Sequence, residues 1–121
     1  MEPNQITEAI IGAAYQVSNT LGAGFLEKVY ENSLRHELVK KGLQVEQQLA
    51  IEVVYDGEVV GEYVADLVVE NSVLVELKAV KSLDEIHAAQ LINYLKATKF
   101  KLGLLINFGN PKVEIKRLRN G

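Results

Sequence analysis

ADLVVENSVLVELKAV, running from Ala65 to Val80, sets two carboxylates and an amine among residues that otherwise prefer burial. The three are Asp66, Glu76 and Lys78. Val64, Leu67, Val68 and Val69 precede a polar break at Glu70, Asn71 and Ser72, and Val73, Leu74, Val75, Leu77 and Ala79 follow it. Aliphatic, β-branched runs on either side of a short polar connection read as two strands and a tight turn. The charges therefore fall inside strands, not at their ends. An isolated buried charge costs on the order of several kcal/mol unless it is paired or bound to a metal, so three close together mark a candidate site.

Glu76 and Lys78 are two apart on one strand and share a face with Leu74 and Val80. Whether Asp66 joins them depends on the connection, because cross-strand partners share a face and a slip of one residue reverses it. A two-residue loop at Asn71-Ser72 pairs Asp66 with Leu77 and separates the carboxylates. A three-residue loop, Glu70 to Ser72, pairs Val69 with Val73 and sets Asp66 opposite Glu76. Carboxylates opposed at about 5 Å repel unless a partner intervenes. A divalent cation is one such partner, and oxygen-only ligands suit Mg²⁺ or Mn²⁺ with water completing the shell. A cross-strand salt-bridge cluster with Lys78 is the other.

Outward from this stretch the chain alternates helix and strand periods. Ile6, Ala9, Ile10, Ala13, Ala14, Val17 and Leu21 recur at helical spacing, predicting an amphipathic helix from Asn4 to about Thr20. Gly22 and Gly24 break it, and a second helix is expected from about Phe25 to Lys41, with Leu26, Tyr30, Leu34 and Leu38 inward and a stop at Gly42. On that helix Glu27 lies about 60° from Tyr30, so it borders the buried stripe and can point toward the sheet. A solvated glutamate favoured by the helix dipole is the plainer alternative.

Gln44 to Tyr55 and Glu58 to Glu70 alternate as strands around Asp56-Gly57, a two-residue hairpin signal. Ser82 with Glu85 has the form of a capping box before a third helix that runs to about Ala97. Gln90 and Tyr94, four apart, share a face of it with His87 and Ala97. Lys101 to Asn107 reads as a central strand, and Lys112 to Leu118 as an edge strand. The fold class is α/β, a sheet flanked by helices in the order α-α-β-β-β-α-β-β.

With 121 residues, 48% hydrophobic and 24% charged, the chain fits one domain, 1–121, with a single core. It has no internal repeat and no apolar run of membrane length. Its start, MEPNQITEAI, lacks signal-peptide character, and a cytoplasmic location is expected. Without cysteine there are no disulfides or thiolate metal sites, and His36 and His87 are isolated in sequence. The net charge of −3 hides an asymmetry: residues 1–95 carry 6 basic and 15 acidic side chains, residues 96–121 carry 7 and 1. Lys112, Lys116, Arg117 and Arg119 in that basic tail are candidate nucleic-acid contacts, or else a solvated edge.

Taken together these residues resemble the PD-(D/E)XK nuclease superfamily, and within it the small GxxExxY family, whose pattern appears as Gly24-Phe-Leu-Glu27-Lys-Val-Tyr30. The superfamily's D…ExK pattern falls on Asp66, Glu76 and Lys78, its helical glutamate on Glu27, and the QxxxY motif of its exonuclease-like branch on Gln90 and Tyr94. Ala65 stands where the superfamily name has proline. The resemblance spans nearly the whole chain and implies a restriction-endonuclease-like core.

It further implies metal-dependent hydrolysis of phosphodiester bonds in nucleic acid, DNA ahead of RNA. Asp66, Glu76 and the carbonyl of Leu77, with Glu27 extending the shell, would hold Mg²⁺ or Mn²⁺. Lys78 would orient or deprotonate a water, or act as a point charge on the transition state. Gln90 and Tyr94 would position a phosphate or the lysine. Two other classes stand beside this: a catalytically idle nuclease-fold module that binds nucleic acid or protein, and a structural domain, homo-oligomeric or not, whose carboxylates merely form ion pairs.

Overall fold

The computed structural model describes residues 1–120. Helix α1 (Pro3–Leu21) buries Ile6, Ile10, Ala13, Ala14 and Val17 along one stripe. Helix α2 (Glu27–Lys40) buries Tyr30, Leu34 and Leu38. Leu26, expected on that inner stripe, is 82% exposed. It sits before the first helical turn with an extended backbone at φ −71 and ψ 155, so helical periodicity does not govern where its side chain points.

The turn between these helices is tied by one side chain. The Tyr30 hydroxyl donates to the Gly22 carbonyl at 2.6 Å and accepts from the Phe25 N–H at 3.2 Å. Its ring stacks on Phe108 with centroids 4.7 Å apart. Gly24, at φ 114, supplies a backbone conformation that side chains rarely allow. Gly24 and Tyr30 thus set the angle at which α2 enters, and Glu27 is carried with it.

Five strands follow in a mixed sheet of order β1-β2-β3-β4-β5: β1 (Val45–Tyr55), β2 (Glu58–Val69), β3 (Val73–Lys78), β4 (Leu102–Asn107) and β5 (Glu114–Arg119). β3 and β4 run parallel, joined by the crossover helix α3 (Glu85–Ala97), and the remaining pairs are antiparallel. The element order is the one expected from periodicity. Asp56 and Gly57 both take positive φ, 52 and 78, as a two-residue hairpin turn requires.

The connection from β2 to β3 is the three-residue one. Val69 pairs with Val73, Val68 with Leu74 and Leu67 with Val75. Glu70 and Asn71 both adopt left-handed backbone, at φ 53 and 50, and the Ser72 N–H closes the turn on the Val69 carbonyl at 3.0 Å. Asn tolerates that conformation well and Glu poorly, so Glu70 is a strained position, and its carboxylate accepts from the Gln44 N–H at 2.6 Å.

Helix α3 starts two residues later than Ser82 and Glu85 suggested. Asp84 caps it, accepting from the Ile86 N–H, while His87 Nδ1 accepts from the Asp84 N–H at 3.0 Å. The sheet splits the expected single core in two. Leu67, Val69, Val73, Val75, Leu77, Leu102, Leu104 and Ile106 pack against α1 and α2; Val68, Leu74 and Leu105 meet Leu91 and Leu95 of α3 on the other face.

At the carboxyl end of β3 the backbone is clamped. Asn107, fully buried, accepts from the Val80 and Gly109 N–H groups and donates to the Val80 carbonyl and to Glu114. A Cβ at Gly109 would stand 2.2 Å from the Val80 carbonyl oxygen, closer than any real contact. Gly109→Ala is therefore expected to destabilise the protein by about 3 kcal/mol, because the obstacle is backbone and cannot swing away. Urea denaturation of the variant checks this, and an unchanged midpoint refutes the close approach.

Candidate active site

The pairing of β2 with β3 stops at Leu67 and Val75. A continued ladder would send the Leu77 N–H to a β2 carbonyl; it donates instead to Asp66 Oδ2 at 2.7 Å. The N–H and C=O of an extended residue lie on the same strand edge, so the Leu77 carbonyl also faces the gap where β2 has left β3. β2 rolls about its axis at this point. Leu67 and Val69 pack toward α1 and α2, whereas Tyr63 and Ala65, of the same two-residue period, pack into the α3 core.

Glu76 follows Leu74 on the α3 face of β3. The Tyr63 hydroxyl donates to its Oε2. The Tyr63 ring stacks on Tyr94 with centroids 3.5 Å apart, and Gln90 Nε2 donates to the Tyr94 hydroxyl at 3.1 Å. Gln90 and Tyr94 are thus linked to Glu76 through Tyr63, a residue with no signal of its own in the sequence beyond an aromatic on a strand. Lys78, half-buried, lies two residues beyond Glu76 on the same face. Among the described residues the ion pairs within 4.0 Å are Lys28–Glu31 and Lys40–Glu37, so Lys78 is not locked into a cross-strand salt bridge.

Glu27 opens α2 and feels the charges of both Asp66 and Lys78. Its neighbour one turn on, Glu31, escaped the sequence reading. It is 4% exposed and accepts from Lys28 Nζ at 2.9 Å, from Gln47 Nε2, and from Gln48 Nε2 at 2.9 Å. Gln48 Nε2 also reaches Asp66 Oδ1 at 3.3 Å. A glutamate accepting from three side chains is invisible to spacing rules when two of its partners, Gln47 and Gln48, come from another element.

The four basic residues of the tail do not form one stripe. Lys116 pairs with Leu105 and so lies on the α3 face that carries Glu76. Arg117 and Arg119 pair with Leu104 and Leu102 on the α1–α2 face, where the Arg117 guanidinium donates to Asn4. Lys112 sits in the connection between β4 and β5.

A model of the PD-(D/E)XK nuclease superfamily matches residues 4–118. The chain belongs to that superfamily. Among solved structures, the crystal structure of SSO0001 superposes with a TM-score of 0.61 at 21% identity, covering 97% of this chain and 58% of the other, which establishes likeness of fold. This chain thus spans little more than half the length of that relative. No curated protein matches the sequence.

PD-(D/E)XK nucleases generally use divalent metals, and the donors present here are of the right kind. Asp66, Glu76 and the Leu77 carbonyl are hard oxygen ligands, and a Mg²⁺ site asks for one or two carboxylates with water filling the rest. Among the described residues no three acidic or imidazole side chains converge as a closed cage. Asp66 and Glu76 are a pair, and Glu27 is drawn toward Lys78 and the Ala79 N–H.

In this PD-(D/E)XK cluster burial and the neighbouring carboxylates outweigh the pull of Lys78. Burial is the main force pushing the Glu76 carboxyl up to about 8; the Tyr63 hydrogen bond and Lys78 pull it down, while the charge and hydrogen bond of Asp66 push it up. Burial and then Asp66 raise Glu27 as well, against the pull of Lys78. Tyr63 is raised by burial and by Glu76, so it stays a neutral donor.

The folded protein therefore holds a proton on Glu76, between its ordinary 4.5 and about 8, that the unfolded chain has already released. The sign follows: without metal, stability falls as pH rises through that window. Denaturant melts in chelator should show a declining midpoint from about pH 5 to about pH 8 in the wild type and a flatter profile in Glu76→Gln. Equal slopes in the two proteins would mean that Glu76 is not the group responsible.

Proposed function

We propose that the chain is a nuclease of the GxxExxY kind that hydrolyses phosphodiester bonds with Mg²⁺ or Mn²⁺, DNA being the first substrate to test. The observation that carries this is the opposition of Asp66 and Glu76 at the gap where β2 leaves β3, with Lys78 beside them and in no ion pair among the described residues. A purely structural role would give no reason to bury a second carboxyl beside Asp66, where it is held protonated, whereas a cation would let both ionise and Lys78 would complement a phosphate.

In this reading Asp66, Glu76 and the Leu77 carbonyl would hold the cation, and Glu27 would border its shell. When bound, the metal would lower the pKa of a water and neutralise charge on the phosphate. Tyr63 fixes the orientation of Glu76 by donating to Oε2, and the Leu77 N–H does the same for Asp66. Lys78 lies where it can steer the attacking water and stabilise charge that develops on the phosphate. Water adds to phosphorus, the ester P–O bond breaks, and the leaving oxygen takes a proton. Gln90 and Tyr94 support the site through the Tyr63 ring. Lys116 is the tail residue on the face of Glu76, with Lys112 in the adjacent connection; Arg117 and Arg119 contribute from the opposite face if nucleic acid wraps the edge.

The test is cleavage of single- and double-stranded DNA and RNA by purified protein with and without Mg²⁺. Lys78→Ala is expected to lower cleavage by about 10²–10³-fold while affinity for the same oligonucleotide in chelator stays within about twofold. Glu76→Gln should abolish the metal-induced rise in melting temperature seen in the wild type. Binding without cleavage, unaltered by either substitution, would favour an idle nucleic-acid module.

A further inference from the structure

Gln48 stands in an unusual place. In the interior of β1 it is the one residue with left-handed backbone, at φ 54; the other non-glycine residues with positive φ, Asp56, Glu70 and Asn71, lie in turns or at their edge. The ladder between β1 and β2 keeps one register across it, with Gln47 opposite Leu67 and Leu49 opposite Ala65, and is interrupted at Gln48 itself. The residue facing that interruption is Asp66. A non-glycine residue held in this conformation persists when its surroundings over-determine it.

What holds it is visible in its side chain. The Gln48 amide Nε2 donates to Glu31 Oε1 at 2.9 Å and to Asp66 Oδ1 at 3.3 Å. An amide NH₂ has two hydrogens and here each goes to a different carboxylate. Glu31 is a fixed anchor, buried on α2 and also held by Lys28 and Gln47. Asp66 is then gripped at both oxygens, Oδ1 by Gln48 and Oδ2 by the Leu77 N–H.

We propose that Gln48 is a positioning residue for the metal: its strained backbone and bridging amide tie Asp66 to the Glu31 anchor and aim the carboxylate at the gap between β2 and β3. This rests on Asp66 being a metal ligand. Positioning by a group outside the ligand set matters because a carboxylate free to rotate must be ordered on binding, and partners of that kind are commonly worth about 10–100-fold in metal affinity.

The discriminating variant is Gln48→Gly. Glycine takes the left-handed backbone without penalty, so the strain is relieved, while Glu31 keeps Lys28 and Gln47 on Oε2 and loses the Gln48 donor on Oε1, so the two effects on stability oppose each other. Because the two oppose, the melting temperature in chelator is expected to stay within about 5 °C of the wild type. Mn²⁺ affinity, read by calorimetry, is expected to fall about tenfold or more. Amide exchange at Leu77, read by NMR without metal, should accelerate about tenfold as Asp66 is freed.

A Leu77 amide that exchanges at the wild-type rate overturns the proposal whatever the metal does, and so does undiminished Mn²⁺ affinity in the variant when the wild type binds. If the wild type binds no Mn²⁺, the metal-ligand reading fails, and Leu77 exchange still decides whether Gln48 aims Asp66. Gln48→Ala, which removes the amide and keeps the strain, should match Gln48→Gly in metal affinity but melt lower. Recovery of full affinity by alanine would also count against the amide.

Discussion

A carboxylate doing the work of a backbone carbonyl is the constraint from which the rest of the site follows. The Leu77 N–H must find an acceptor once it leaves water, and it finds Asp66 Oδ2 in place of the next ladder carbonyl. That substitution is what lets β2 leave β3 without orphaning a buried donor. It also turns the Leu77 carbonyl toward the opening and fixes which way Asp66 points. Had β2 stayed in register to its end, the gap in which Asp66 and Glu76 meet would be closed by ordinary pairing.

Crowding of acid at that gap is tolerated because nearly every oxygen has a donor. Tyr63 serves Glu76; Leu77 and Gln48 serve Asp66; Lys28, Gln47 and Gln48 serve Glu31. Among the described residues no buried side-chain nitrogen or oxygen is left without a partner. Hydrogen bonds do not remove the cost of burying charge, however: burial first, and the charge of Asp66 after it, raise the Glu76 and Glu27 carboxyls. Carboxylates whose acceptor oxygens are already hydrogen-bonded would take up a cation, as proposed above, without the hydrogen-bonding pattern being rebuilt.

The sequence carried the element order, the hairpin at Asp56-Gly57 and the facing of Asp66 and Glu76 once the length of the Glu70–Ser72 connection was settled. That length was ambiguous because it needed Glu70 in a left-handed conformation, which Glu seldom takes. Strand parity placed Lys78 beside Glu76, and superfamily resemblance drew in Glu27, Gln90 and Tyr94. Tyr63, Glu31 and Gln48 stayed hidden for a common reason: each acts through a side chain on another element, and single-sequence periodicity carries no cross-element pairing. Leu26 and the Ser82–Glu85 cap went astray at helix ends, where one or two residues of extended backbone defeat an extrapolated stripe.

Helix α2 explains how a fold this small reconciles a packed core with an acidic centre. Tyr30 lies between Glu27 and Glu31 in sequence, and turns inward to stack on Phe108, which follows the last residue of β4. Glu27 and Glu31, four apart, lie on a neighbouring flank of the helix and face Lys78 and Gln48. The residue that fixes the helix against the core therefore also fixes the depth at which both carboxylates approach the sheet. A shift of α2 by one residue would rotate that flank by about 100° and bring neither glutamate to the gap. The Tyr30 hydroxyl resists such a shift by binding the Gly22–Phe25 turn from within the helix it introduces. The Gly24–Tyr30 segment is in this sense part of the site's geometry, and it carries Glu27 within reach of the charges of Asp66 and Lys78.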